Sequence, residues 1–195
     1  MVVTRLRYGN TNTFLIRGTA GNLLVDTDMA GTLPQFYKAI KAAGVRVKDI
    51  DYVLATHYHP DHMGLVSELV KQGVRLLLAD VQLPYVHYSD DIFAAMKDVD
   101  YDPVDESAAE VISCEESRVF LEALGIFGEL CHTPSHSMDC VSLFLDEGSC
   151  FVGDLEPMEY LAGYEDNPQL EADWELVLEH EPTTVYYAHQ PAAYF

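Results

Sequence analysis

The chain has 195 residues and carries 11 Lys and Arg against 32 Asp and Glu, a formal net charge of -21. Such a surface repels phosphate backbones and anionic headgroups, which argues against nucleic-acid and membrane-surface roles and leaves a small molecule as the expected partner. No apolar run reaches the roughly 20 residues of a membrane span, and MVVTRLRYGN lacks the pattern of a secretory signal, so a cytoplasmic protein is expected.

The length suits one domain with a sizeable core. Alternating apolar positions in VVTRLRY, NTFLIRG and NLLVDTD predict three short strands joined by turn residues, an antiparallel meander. TLPQFYKAIKAAG predicts a helix with Thr32 as N-cap, Pro34 in the first turn, Phe36, Ile40 and Ala43 on one face, and Gly44 as the stop. DIDYVLATH is the next strand, running straight into His57. DHMGLVSELVKQG then predicts an amphipathic helix with Leu65, Leu69 and Val70 inward, followed by the buried strand VRLLLAD.

Residues 81–110 mix aromatics, acids and prolines around one short helix near Ile92 to Lys97, and read as a lid or insert. EESRVFLEALGI predicts a helix ended by Gly125. The last third predicts strands GELCHT, VSLFLDEG and CFVGDL, a helix PQLEADWELVLEH and a strand TTVYYAH. The order suggests two similar halves with a boundary near 104–109. Cys114, Cys131, Cys140 and Cys150 contain no CxxC pair and are expected as free thiols.

The chemistry concentrates in LATHYHPDHMG, Leu54 to Gly64, which holds three of the eight histidines. At this composition HxHxDH arises by chance in roughly one chain in a thousand. Histidines at i and i+2 of an extended segment point the same way, so His57 and His59 can reach one metal ion. Asp61 and His62 open the following helix, where the chain has turned, and can address a second position. Imidazole and carboxylate suit a borderline-soft ion such as Zn²⁺. A closed structural zinc site favours cysteine, and none is nearby. Further polar residues stand where hydrophobic segments finish: His136 after Thr-Pro-Ser, Asp154 after CFVG, and His189 after TTVYYA.

HxHxDH at His57 to His62, TPSHS with His136, VGD with Asp154 and AH with His189 resemble, in order and over nearly the whole chain, the metallo-β-lactamase superfamily of metal-dependent hydrolases. The resemblance implies an α/β (α+β) fold, a four-layered αββα sandwich of two mixed β-sheets flanked by helices, as a single domain over 1–195. It assigns His57, His59 and His136 to a first metal, Asp61, His62 and His189 to a second, and Asp154 as the bridge. The implied cofactor is two Zn²⁺, with iron or manganese as alternatives. The implied nucleophile is a hydroxide shared by the ions, with Asp61 as the catalytic carboxylate that orients it or passes on its proton. Ser135 and Ala188 stand where the family usually has glycine before these histidines.

The branch is narrowed by residues. Secreted β-lactamases of the commonest zinc class have cysteine at the position of Asp154, and the nuclease branches have basic surfaces. Glyoxalase-II-like thioesterases usually add a basic helical domain, whereas this sequence ends six residues after His189. The expected activity is hydrolysis of a small ester, thioester or lactone. The rivals are a mononuclear-iron persulfide dioxygenase-like oxidoreductase and a non-catalytic metal-binding protein. Tyr85, His87, Tyr88 and Tyr160 are the candidate substrate contacts; Tyr58 and Tyr164 are further candidates for a tyrosine beside the metals. His132 and His180 are expected in structural or surface roles, and a homodimer is left open.

Overall fold

A computed structural model describes residues 1–163 and 166–195. Strands β1 (Val2–Arg7), β2 (Asn12–Arg17) and β3 (Asn22–Val25) form the antiparallel meander. The chain then crosses over three times to add β4 (Tyr52–Leu54), β5 (Arg75–Ala79) and β6 (Glu110–Ile112) in parallel, giving a six-stranded sheet in sequence order. The crossovers carry helices α1 (Leu33–Ala42), α2 (Pro60–Met63), α3 (Val66–Lys71) and α4 (Asp90–Ala95). After helix α5 (Cys114–Ala123) comes a second sheet of β7 (Gly128–His132), β8 (Val141–Leu145), β9 (Ser149–Phe151), β10 (Thr184–Tyr186) and β11 (Ala193–Tyr194), ordered β11-β10-β9-β8-β7. Helix α6 (Pro168–Glu179) lies between β9 and β10, which pair in parallel.

The two-residue period of the strands sorts their side chains into layers. Phe14, Ile16, Leu23, Val25 and Leu54 face one way and meet Leu130, Leu143, Leu145 and Phe151 of the second sheet. Their alternates Leu15, Leu24, Val53 and Leu76 face the other way, onto Phe36 and Ile40 of α1 and Val66 and Leu69 of α3. On the far side of the second sheet, Phe144, Cys150 and Val185 pack against Leu170, Trp174 and Val177 of α6. The result is the four-layered αββα sandwich. Buried on both faces, β2 to β5 read as nearly continuous hydrophobic runs.

Several local expectations give way. Thr32 stands at the start of α1 without capping it, because its hydroxyl donates instead to the Met29 carbonyl at 2.7 Å. The helix foreseen over DHMGLVSELVKQG is two pieces, α2 and α3, interrupted at Gly64 and Leu65. There the backbone passes against the Asp28–Ala30 loop, so close that a Cβ on Gly64 would lie 2.2 Å from the Ala30 nitrogen. Within 81–110, Gln82, Val86, Phe93 and Val104 are buried, the apolar three in the core layer beneath α1 and α3. The short helix there starts two residues earlier than foreseen, and the chain leaves the first sheet after Ile112. All four cysteines are free thiols, with Cys140 and Cys150 buried. Among the described residues no helix is long and apolar enough to cross a membrane.

Candidate metal centre

The site is assembled from strand ends. β4 is wholly buried and finishes into Ala55, Thr56 and His57. Thr56 is tied to the loop after β3: its N–H and hydroxyl donate to Asp26 Oδ1 at 2.6 and 3.0 Å. His59 precedes Pro60, which excludes helical backbone there, and it is extended at φ -73°, ψ 152°. His57 and His59 therefore project together. Pro60 opens α2, which turns Asp61 and His62 into a neighbouring position. His136 sits in the β7–β8 loop, anchored to α6 by the Ser135 N–H donating to Asp173 Oδ2 at 2.8 Å. Asp154 follows β9, and His189 follows β10. Ala188 fastens the last two to each other and to β2, donating to the Gly153 carbonyl at 2.9 Å and accepting from the Asn12 N–H at 2.7 Å.

These ends bring all seven donors together in two overlapping sets. In the first, His59 Nδ1 lies 3.0 Å from His57 Nε2 and 3.1 Å from His136 Nε2. Ligands of a tetrahedral ion held by bonds of 2.0–2.1 Å stand about 3.3 Å apart, so the spacing fits with a small outward adjustment. In the second, His189 Nε2 lies 3.1 Å from Asp61 Oδ2, and His62 Nε2 lies 3.9 Å from Asp61 Oδ1. Asp154 touches both sets with different oxygens. Its Oδ2 is 3.9 Å from His57 and 3.6 Å from His136, while its Oδ1 is 3.3 Å from both His62 and His189. Three groups of donors within this cluster, His57–His59–His136, His57–His62–Asp154 and Asp61–His62–His189, converge closely enough to hold an ion.

The polar accounting fits a cation. His62 Nε2 and Asp154 Oδ1 are both buried without a hydrogen-bond partner. They lie 3.3 Å apart yet are not aligned to bond each other. Leaving such groups unpaired costs about 1–3 kcal/mol each, and a cation between them removes the cost. The other nitrogen of His62, Nδ1, is 3.2 Å from Asp26 Oδ2. This carboxylate–histidine pairing fixes the ring and leaves Nε2 facing the donor set.

Charge states follow. Burial, reinforced by the neighbouring histidines, holds His57 well below its ordinary range, so it stays neutral with a free lone pair. Burial and His136 lower His59 as well. Burial would raise Asp61, but the His189 hydrogen bond and the His62 charge prevail and hold it at about 2. Asp154 is likewise lowered against burial, by His62, His189 and His136. Burial disfavours charge on His62, yet Asp26 and Asp154 outweigh it and raise the imidazole to about 10 without a metal. The carboxylates are thus ionised as ligands require, while His62, and His189 through its hydrogen bond to Asp61, hold their protons more tightly than free imidazoles and must give them up to a metal.

Of the substrate candidates, Tyr88 is exposed and its ring lies 5.3 Å from that of His59. Tyr160 is exposed on the short 3-10 helix Met158–Gly163. Tyr85 packs half-buried on the outer core. His87 turns to Asp90 at 2.8 Å and Glu106 at 3.3 Å, and no contact joins it to the seven donors among the described residues. Tyr58 is fully buried in the outer core, its neighbour-facing role being packing. Tyr164 lies outside the described residues. His180 stacks on Phe144 at 4.2 Å, and His132 Nε2 meets the Met138 carbonyl at 2.8 Å. Sequence reasoning passed over the supporting shell: Asp26, Thr56, Asp173, Asp139, which accepts from the Tyr58 N–H at 2.6 Å, and Gln82, which donates to the Ala55 carbonyl at 2.8 Å. The signal for Asp26 was the acid-rich VDTD directly at the end of β3.

A cleft opens beside Asp154 and His189, lined further by His136, Glu156, Tyr187 and Gln190. Comparison with known proteins agrees with this architecture. Residues 6–189 match the family model described as the metallo-beta-lactamase superfamily. The chain is similar to the beta-lactamase-like protein 2 homolog of Drosophila melanogaster, 27% identical over 183 residues, covering 92% of this chain and 58% of that protein. It is also similar to a probable metallo-hydrolase of Methanocaldococcus jannaschii, 26% identical over 159 residues, covering 79% of this chain and 71% of that one. The solved structure of TTHA1623 in a di-iron-bound form superposes with a TM-score of 0.72 at 23% identity, covering 100% of this chain and 94% of that chain. With its matched residues running from the end of β1 to His189, through every element that carries a donor, the chain belongs to the metallo-β-lactamase superfamily.

Proposed function

We propose that this chain is a dinuclear zinc hydrolase acting on a small ester, thioester or lactone. The observation that carries the reading is the division of labour at Asp154, whose two oxygens face two separate sets of donors. His57, His59 and His136 would hold one ion, Asp61, His62 and His189 the other, and Asp154 both. When bound, such ions acidify a water and polarise a scissile carbonyl. The protein's part is to fix that arrangement and to keep its carboxylates ionised. Asp61 would be a ligand that can also accept or orient the proton of the attacking water, its side chain being about one-third exposed. Asp26 keeps His62 turned inward. His136 and His189 are each about one-third exposed, which leaves the site open on one side to a substrate.

The test is a metal count on protein purified without chelator, followed by a panel of p-nitrophenyl esters, thioesters and lactones. Two zincs per chain with turnover support the reading, and Asp61→Ala or His136→Ala should abolish turnover in a folded protein. One iron per chain with oxygen consumption on a persulfide would replace it by the oxidoreductase reading. TTHA1623 is described in a di-iron-bound form, so the count must distinguish iron from zinc. Metal binding without turnover on any substrate would favour the metal-binding reading.

A further inference from the structure

We propose that the substrate of this site carries a cationic group, an amine or quaternary ammonium, recognised by Glu156. The proposal rests on the hydrolase reading above and adds the charge of the part of the substrate that does not react.

The cleft beside the donors is built by the segment Asp154 to Pro157 on one wall and by Tyr187 to Gln190 on the other. Apart from the donors themselves, the charged residue lining it is Glu156. Its main chain is held in place, since the indole N–H of the buried Trp174 donates to the Glu156 carbonyl at 2.8 Å and Pro157 follows, also buried. Its side chain makes no ion pair among the described residues, and the chain offers it few cations. All eleven Lys and Arg lie between Arg5 and Arg118, whereas residues 119–195, which form both cleft walls, contain none and hold fifteen Asp and Glu.

Tyr187, largely buried, lines the same cleft as Glu156. Away from the metal donors, a carboxylate and an aromatic side chain on walls that carry no Lys or Arg suit an alkylated ammonium. The same features disfavour an anionic substrate. A carboxylate or phosphate directed along this cleft would meet Glu156 with no guanidinium or ammonium from the walls to pair it, and like-charge juxtaposition at a binding surface is strongly discriminating.

The experiment uses zinc-loaded protein and three p-nitrophenyl esters of matched length ending in trimethylammonium, tert-butyl or carboxylate. The expected order of kcat/KM is cation above neutral above anion, with about tenfold between cation and neutral. Glu156→Gln should collapse the cation-to-neutral ratio toward one, and Glu156→Lys should place the anion above the cation. A wild-type enzyme that hydrolyses the neutral ester as well as the cationic one, or a ratio unchanged in Glu156→Gln, overturns the proposal. If no ester of any charge is turned over, the hydrolase reading fails separately. The charge proposal is then decided by calorimetric titration with choline against 3,3-dimethyl-1-butanol. Tighter choline binding that Glu156→Gln abolishes supports it, and equal binding overturns it.

Discussion

Asp26 and His62 form a buried pair, Oδ2 to Nδ1 at 3.2 Å with the side chains 3% and 0% exposed, on which the second set of donors depends. Asp26 adopts a left-handed backbone, φ 59°, directly after β3. From there one carboxylate serves both Thr56 and His62. An outer partner of this kind typically contributes 10- to 100-fold, in order of magnitude about, to metal affinity. Asp26→Asn, which keeps the shape and removes the charge, should weaken the second metal by about that factor and the first by much less. Titration with a competing chelator checks it; equal loss at both ions would show that Asp26 acts on the fold and not on His62.

The same pair ties metal uptake to protons. His62 is raised from 6.5 to about 10 by Asp26 and Asp154 against the cost of burial. A raised folded value means that its contribution to the stability of the metal-free protein is fully present below 6.5 and is lost as pH rises through about 10. A metal entering at neutral pH must displace the proton, so apparent affinity should rise with pH across that window. Calorimetry at pH 8 in buffers of different ionisation enthalpy should show at least about one proton released per chain. Proton release indistinguishable from zero would refute the protonated His62.

The half of the site that was legible in the sequence is the half written locally or written at strand ends. His57, His59, Asp61 and His62 are four residues within six positions whose geometry is fixed by one strand end and one proline, so spacing alone reveals them. His136, Asp154 and His189 announce themselves as polar residues stranded after apolar runs. Asp26 stands in the same kind of place after β3, but an aspartate in VDTD is equally the signature of a turn, and its partner His62 is 36 residues away. Asp173 is hidden more thoroughly, because on α6 an aspartate between charged residues reads as solvated surface, and only the fold brings it to Ser135. Strands β6 and β11, three and two residues long, carry too few residues for alternation to register. The break between α2 and α3 is likewise tertiary, imposed by the approach of the Asp28–Ala30 loop to Gly64.

That approach makes Gly64 a stability test. A methyl group there would meet the Ala30 nitrogen at 2.2 Å and the Asp28 carbonyl oxygen at 2.5 Å, backbone atoms that cannot rotate aside. Gly64→Ala should therefore fall at the upper end of overpacking costs, about 3 kcal/mol. For a chain of this size that lowers the melting temperature by roughly 10 °C. Calorimetric melting of the metal-free protein measures it. An unchanged melting temperature would mean that the loop moves freely, and with it the packing that holds α2.

Asp173 separates the two sets of donors from the other side. Its Oδ2 accepts the Ser135 N–H at 2.8 Å and its Oδ1 accepts the Gln169 amide at 2.9 Å, with the residue 1% exposed. Asp173→Ala leaves the Ser135 N–H without this partner next to His136, at a cost of about 1–3 kcal/mol. Since His136 belongs to the first set and Asp26 supports the second, Asp173→Ala should weaken the first metal selectively, the mirror of Asp26→Asn. Asp173→Asn retains a side-chain acceptor and should restore much of the loss. Metal stoichiometry under a graded series of chelator concentrations reads both variants. If Asp173→Ala and Asp26→Asn lost the same ion, the assignment of His136 and His62 to different sets would be wrong.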